Sequence, residues 1–336
     1  MGKSDLETCW EILPDVSRSF ALCITKLPRG LADQIMASYL VFRVIDTIED
    51  SSAAIETKEK GFSDFLGLLL KKTSDEAEYD RLRDFLLSKI SHTYERRLLE
   101  NVKSVFGLYH GFGALERGVI SKYAAEMARG MAEFQKRTIT DFKAQDEYCY
   151  YVAGIVGYLN TSLFQIHGAI GEGLRDEIMG YSKNFGLALQ KVNVLRDVAQ
   201  DVPKGRHYWP AELLSKHGLT YGTLCAPENR ASAVKVLDEV VANAVPFLYD
   251  ALEYVTRLPR LEVRIRVFCL IPLFMALESF AKCAGNPDVF DSGRSVKISK
   301  GDVRLIVAKS YLFAMSNAAI RLWFKRCVPS LPGGRP

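Results

Sequence analysis

No stretch of about 18 uninterrupted apolar residues occurs in this chain of 336 residues, so no transmembrane helix is expected. The N-terminal MGKSDLETCW carries no apolar core of the signal-peptide kind. Cysteines are few: the seven (Cys9, Cys23, Cys149, Cys225, Cys269, Cys283 and Cys327) are odd in number, scattered and free of CxxC spacing. That excludes a disulfide framework and a zinc site, and the simplest setting is a reducing, cytoplasmic one. No GxGxxG follows a strand, so a Rossmann dinucleotide site is not expected. Lys and Arg form no long block and the net charge is only +4, which argues against a nucleic-acid partner. Low-complexity linkers, repeats of fixed period and strand-like alternation are also lacking or scarce.

What is present is an ordinary globular composition, 48% hydrophobic and 25% charged, in a chain long enough for a large core. Apolar residues recur at three and four positions, as in LADQIMASYLVFRVIDTIED and SAVKVLDEVVANAVPFLYDALEYV. This predicts an all-α fold, one helical domain over 1–336 with its core at about 10–325. The breakers LPRG (27–30), VPKGRHYWP (202–210), APEN (226–229) and GNPDVFDSG (285–293) read as loops between helices, not as interdomain linkers. YCYYVAGIVGYLNTSLF (148–164) has the Tyr and Val content of a strand but the length of a helix. Gly154 and Gly157 would let a neighbour come close there.

Two helix ends are acidic. Positions 4, 7 and 11 apart share a helix face, so Tyr39, Arg43, Asp46 and Asp50 form one stripe with Glu49 on its flank. Gln190, Asn193, Asp197 and Asp201 form another, shortly before Pro203. A helix C-terminus already carries partial negative charge, so carboxylates there call for a compensating cation. A lone DxxxD at such an end is ordinarily a solvated feature; two, on apolar helices with Arg or amide neighbours, point to Mg²⁺. This ion takes one or two carboxylates and fills its remaining positions with water and substrate phosphate.

DTIED with its lead-in YLVFR, QKVNVLRDVAQD and the following GRHYWP resemble the squalene synthases of the squalene/phytoene synthase family. SRSF (17–20), YVAGIVG (151–157), FCLIP (268–272) and SVKISKG (295–301) continue the resemblance in family order over almost the whole chain. The resemblance implies a single-domain isoprenoid synthase bundle around a central cavity. It also implies head-to-head condensation of two farnesyl diphosphates to presqualene diphosphate, then NADPH-dependent rearrangement to squalene. Asp46, Glu49, Asp50, Asp197 and Asp201 would hold Mg²⁺. Tyr151, or Tyr39, would relay the proton lost in the first step, and Phe268 would face the carbocations of the second, where an aromatic face attracts a cation.

Ser17, Arg18, Ser19, Phe20, Arg43, Gln190, Asn193 and Arg196 would bind substrate, with Arg18 and the serines taking a part in phosphate or NADPH binding. Ile155, Leu159 and Leu163, at helical spacing from Tyr151, would line a tunnel for the farnesyl chains. Arg18, Arg43, Arg196, Lys297 and Lys300 would serve the phosphates of NADPH. Ser299 departs from the arginine that eukaryotic members commonly carry, with Arg294 and Arg304 as candidate substitutes. The residues by themselves also admit plainer roles: helix capping for Ser17 or Ser19, core packing for the tyrosines and Phe268, and a solvated surface for the basic loop. The rivals are a dehydrosqualene or phytoene synthase that ends by proton loss, and a silent isoprenoid-binding helical protein. A lipid product implies peripheral membrane contact.

Overall fold

The computed structural model describes residues 3–71, 75–90 and 93–334. The elements are α1 (Asp5–Val16), α2 (Arg18–Ile24), α3 (Arg29–Asp50), α4 (Ile55–Leu70), α5 (Glu76–Leu87), α6 (Thr93–Glu100), α7 (Val102–His110), α8 (Ala114–Phe134) and α9 (Phe142–Cys149). A π-helical turn (Tyr150–Gly154) then leads into α10 (Ile155–Ile166). There follow α11 (Glu172–Arg196), α12 (Val198–Asp201), α13 (Ala211–Lys216), α14 (Tyr221–Leu224), α15 (Arg230–Arg257), α16 (Val263–Cys283), α17 (Lys300–Phe313) and α18 (Asn317–Cys327). No strand occurs among the described residues, and the all-α expectation is borne out.

The breakers act as the sequence suggested. Pro28 stands at the N-cap of α3, and Val202–Lys204, Pro227–Asn229 and Pro287–Phe290 are single 3₁₀ turns. Gly205, at φ +74°, takes the left-handed conformation that ends the first of these, a position that favours glycine because it has no Cβ to clash. Ser4, Ser17, Asp75, Asp141, Ser299 and Ser316 cap their helices with side-chain oxygens, satisfying N–H groups that the helix leaves open.

Two compact units divide the chain: residues 1–137 with 158–172, and 138–157 with 173–336. In the first, α3 is the helix most others meet, packing on α1, α2, α4, α6, α7 and α8. It sinks Leu40, Val41, Val44, Ile45 and Ile48 out of solvent. In the second, α15 packs on α16 and α18, and α16 on α17.

The 148–164 segment is helical, with a difference the sequence did not disclose: its first turn is widened to a π turn at Tyr150–Gly154. The neighbour is α11. A Cβ on Gly186 would stand 2.1 Å from the Ala153 carbonyl oxygen, and one on Gly157 2.0 Å from that of Ser182. Only a bare backbone fits at either place, because real contacts do not come within 3 Å. The expected close approach at Gly157 is therefore present, with Gly186 as its counterpart on α11.

Candidate active site

The first acidic end belongs to the first unit. Its carboxylates close α3, and Ser51 takes the cap. Arg43 divides its guanidinium between Asp46 (Nη1 to Oδ2, 3.2 Å) and Glu95 on α6 (Nη2 to Oε1, 3.1 Å). Lys58 on α4 donates to the Glu49 carbonyl oxygen at 2.5 Å and to Gln135 at 2.9 Å, a cation where the helix dipole is negative. Glu49 is buried, whereas Asp46 and Asp50 are half-buried.

Asp46 keeps about 25% of its side chain exposed, yet Oδ1 is sealed and accepts no hydrogen bond. Burial pushes its carboxyl up to about 6, with Arg43 pulling down and Asp50 pushing further up. Burial also works against charge on Arg43, but Asp46, Tyr39, Glu95 and Asp50 outweigh it and hold the guanidinium firmly ionised.

The SRSF turn reaches the same stripe. Ser17 caps α2, its Oγ accepting from Phe20 N at 3.1 Å, so the capping role is real. Phe20 stacks on Tyr39 with ring centroids 5.2 Å apart. Burial raises the Tyr39 phenol, with Arg43 and Ser17 opposing it; at neutral pH even less of it is phenolate than in a free tyrosine. Arg18 and Ser19 point outward and are exposed.

The second acidic end belongs to the second unit and is more open. α11 stops at Arg196, Asp197 bends the chain (φ −95°, ψ 7°) and α12 carries it to Asp201. The stripe therefore straddles a kink instead of lying on one straight helix. Main-chain bonds from Asp197 N to Asn193 O and from Asp201 N to Asp197 O, 3.0 and 2.9 Å, keep the turns in step.

Arg196 grips Asp197 with both nitrogens, Nε to Oδ1 at 2.7 Å and Nη2 to Oδ2 at 2.6 Å, and reaches Asn193 Oδ1 at 3.3 Å. Asn193 in turn donates to Gln190 at 3.1 Å. Burial opposes the Arg196 charge, and Asp197 more than restores it. Asp201 faces Arg206 at 3.9 Å.

Beside this end lies a cleft of about 280 Å³. Arg196, Asp197, Gln200, Asp201 and Lys204 line one side; Asp288, Val289, Arg294, Ser295, Val296 and Lys297 line the other. The basic loop and the second aspartate motif thus share one concave surface. Its volume suits a phosphate or diphosphate group better than a whole dinucleotide, since pockets for drug-sized ligands run to roughly 300–1,000 Å³. Gln200 Oε1 is sealed here and accepts no hydrogen bond. Lys300, exposed at the start of α17, stands outside this lining.

Residues 13–302 match the squalene/phytoene synthase family. The chain belongs to the squalene/phytoene synthase family. It is 35% identical to the squalene synthase of Schizosaccharomyces pombe over 321 residues, covering 91% of this chain and 65% of that protein. Against the squalene synthase of Homo sapiens the identity is 31% over 334 residues, 99% of this chain and 76% of the relative. The chain thus spans about two thirds to three quarters of the length of these relatives. Among solved structures, TcSQS with the ligand BPH1237 superposes with a TM-score of 0.85 at 30% identity, covering 97% of this chain and 91% of that one. A dehydrosqualene synthase shares the fold, with a TM-score of 0.63 at 20% identity.

Tyr151 lies in the π turn, edge-on to Tyr150 at 5.2 Å; such turns concentrate at functional sites. Ile155, Leu159 and Leu163 are closed off from solvent. Phe268 is 5% exposed on α16. Ser299 is the N-cap of α17: it accepts from Asp302 N at 3.1 Å, and Asp302 accepts from Ser299 N at 2.8 Å. Arg294 is spoken for by Asp288 at 2.7 Å and Asp291 at 3.5 Å, and Arg304 is exposed. Sequence reasoning missed Glu95, Lys58, Gln200 and Lys204. The first two are brought in by packing between helices; the last two stood within the second motif and its exit turn, where their spacing from Asp197 and Asp201 could have marked them.

Proposed function

We propose that this chain joins two farnesyl diphosphates head to head into presqualene diphosphate, then converts that intermediate to squalene with a hydride from NADPH. The membership and identities above support this reading. The observation that carries the hydride-using version is the shared cleft: Lys297, on the loop expected to serve NADPH, borders the same space as Arg196, Asp197 and Asp201. We read the two units as one catalytic domain, 1–336.

Among the described residues no three or more His, Cys, Asp or Glu side chains are gathered as a ready metal site, and we read the acidic ends as completed by substrate phosphate. Asp46 Oδ1 and Gln200 Oε1 are sealed acceptors without donors, the kind of oxygen a hard divalent cation satisfies. Asp46, Glu49 and Asp50 at one acidic end, and Asp197 and Asp201 at the other, would hold Mg²⁺. When bound, Mg²⁺ supplies the positive charge that a departing diphosphate needs; NADPH supplies the hydride.

The chain's own residues do the rest. Arg43 and Arg196 stay ionised and present charge to the leaving diphosphate, an arrangement that favours the transition state over the ground state. Tyr151 accepts the proton lost on cyclopropane closure with released diphosphate as the final base, and Tyr39 is the second candidate for that relay. Phe268 presents an apolar aromatic face to the cations of the second step, while Ile155, Leu159 and Leu163 keep water from the farnesyl chains. We assign Lys297, Lys300, Arg196, Arg43 and Arg18 to cofactor phosphate.

Incubation of the purified protein with farnesyl diphosphate and Mg²⁺, with and without NADPH, tests the reading. Squalene is expected with NADPH and presqualene diphosphate without it. Dehydrosqualene formed regardless of NADPH would assign the chain to the rival reaction, and no diphosphate release at all would favour a silent binding protein.

We propose in addition a peripheral membrane contact for product release. Leu305, Leu312, Met315 and Leu322 are each more than half exposed; Lys309 lies between them in sequence, Arg304 just before and Lys325 and Arg326 just after, a composition suited to an anionic lipid surface. No helix among the described residues is long and apolar enough to cross a membrane. Co-sedimentation with vesicles containing phosphatidylserine, absent with Leu312→Ser and Met315→Ser together, is the expected outcome.

A further inference from the structure

Lys191 sits in the C-terminal half of α11 with its whole side chain sealed from solvent. Its ammonium donates to Gln145 Oε1 at 2.9 Å and Asn243 Oδ1 at 2.7 Å, and pairs with Asp146 Oδ1 at 2.5 Å. The rings of Phe142 and Phe247 lie 5.8 and 5.2 Å from the nitrogen. Three oxygens thus surround the ammonium, two as hydrogen-bond acceptors and the third, Asp146 Oδ1, as an ion-pair partner outside hydrogen-bond geometry. The acceptors come from α9 and α15, so one cation ties three helices of the second unit.

Stability is a poor reason to keep such a group, because an apolar residue of similar volume commonly serves as well in a core. What an apolar residue cannot supply is direction. Gln145, whose oxygen accepts from Lys191, donates its Nε2 to the Tyr208 carbonyl oxygen at 2.8 Å. Tyr148, one turn further along α9, stacks on Tyr208 with centroids 4.6 Å apart. Next in the chain, Trp209 donates Nε1 to Val194 O at 3.0 Å. The segment leaving the second aspartate motif is therefore tied at Tyr208 to α9 and at Trp209 back to α11, and Lys191 orients the amide that makes the first tie.

We propose that Lys191 is a positioning residue: through Gln145 it fixes the 197–209 segment, and with it the placement of Asp197 and Asp201. The positioning stands on the hydrogen bonds alone; its effect on catalysis rests on the reading of those aspartates as Mg²⁺ and diphosphate ligands.

The test uses Lys191→Met combined with Asp146→Asn, which removes both charges and strands neither, and separately Gln145→Met, which cuts the tie to Tyr208 while leaving the Lys191–Asp146 pair. Hydrogen exchange of the full chain is expected to show amides at 197–209 exchanging at least tenfold faster in both variants, with 172–188 unchanged. The apparent Mg²⁺ concentration for half-maximal diphosphate release should rise about tenfold, more than the KM for farnesyl diphosphate. Unchanged exchange at 197–209 in both variants would overturn the proposal, as would a loss of activity that follows thermal stability with the Mg²⁺ requirement unmoved. Faster exchange in a protein whose wild type releases no diphosphate would uphold the positioning and sink the functional reading instead. Should the double variant fail to fold, Gln145→Met decides on the same two readouts.

Discussion

The two acidic helix ends look alike in one dimension and differ in three. At α3 the carboxylates lie among packed helices, with an oxygen of Asp46 left without a donor and a proton affinity raised by burial. At α11 and α12 the carboxylates border an open cleft, and Asp197 is already gripped on both oxygens by Arg196. One end holds its charge against the environment; the other has its charge matched in advance. Similar spacing of Asp residues therefore says where charge gathers, and packing decides how eager that charge is for a cation.

The sharpest way to break the comparison is to neutralise each end. Asp46→Asn and Asp197→Asn are both expected to lower farnesyl-dependent diphosphate release by at least about a thousandfold, about 4 kcal/mol of lost transition-state stabilisation. A variant retaining a tenth of wild-type rate at saturating Mg²⁺ would remove its aspartate from the set.

Stability should separate them by sign. A carboxyl raised to about 6 in the folded state, against about 3.9 unfolded, binds its proton more tightly when folded. Its contribution to stability is greatest below pH 4 and is lost as pH rises to 6 and beyond. Without Mg²⁺ at pH 8, Asp46→Asn should then be more stable than wild type by about 2–3 kcal/mol, with the gap closing as the pH is lowered from 6 to 4. Asp197→Asn should lose up to about 1 kcal/mol, since its half-open pair with Arg196 is weakened by water. Urea melts at pH 4, 6 and 8 measure both; an Asp46→Asn variant equally or less stable at pH 8 contradicts the picture of an unsatisfied α3 end.

Smaller effects sharpen the division of labour. Phe268→Ala, which removes an aromatic face worth on the order of 2 kcal/mol to a desolvated cation, should slow squalene formation about thirtyfold while presqualene diphosphate accumulates. Equal loss of both steps would withdraw Phe268 from the second. Lys297→Ala, at the rim of the α12 cleft, should raise the KM for NADPH about tenfold and leave presqualene formation intact, a result that product analysis at varied NADPH can distinguish from general damage.

Much of this was legible in the chain because it is local. Period, caps and breakers gave the helices, the pair Ser17 and Ser19 contained the cap, and the pair Gly154 and Gly157 announced a close neighbour. The π turn at Tyr150–Gly154 was not legible, because a widened turn leaves the apolar period of a short segment almost untouched. Nor was the kink at Asp197, which alters backbone angles without interrupting the helical spacing. Glu95 and the ring of oxygens around Lys191 lay further out of reach: Arg43 and Glu95 are 52 positions apart, and Lys191 and Gln145 46 apart. Such partners meet only after helices have packed, and residue type alone does not mark them.

The contacts of Gly157 with Ser182 and of Gly186 with Ala153 carry a consequence for how this molecule can vary. Side chains in a core can be exchanged for others of similar volume, and helices drift to accommodate them. Here the gap is measured by peptide atoms, with nothing to exchange. The spacing between the Tyr151 turn and α11, the helix that ends at the second aspartate motif, therefore behaves as a fixed gauge: core substitutions elsewhere can loosen or tighten their own surroundings without resetting it, and no single side-chain replacement at either glycine offers a tolerable intermediate width.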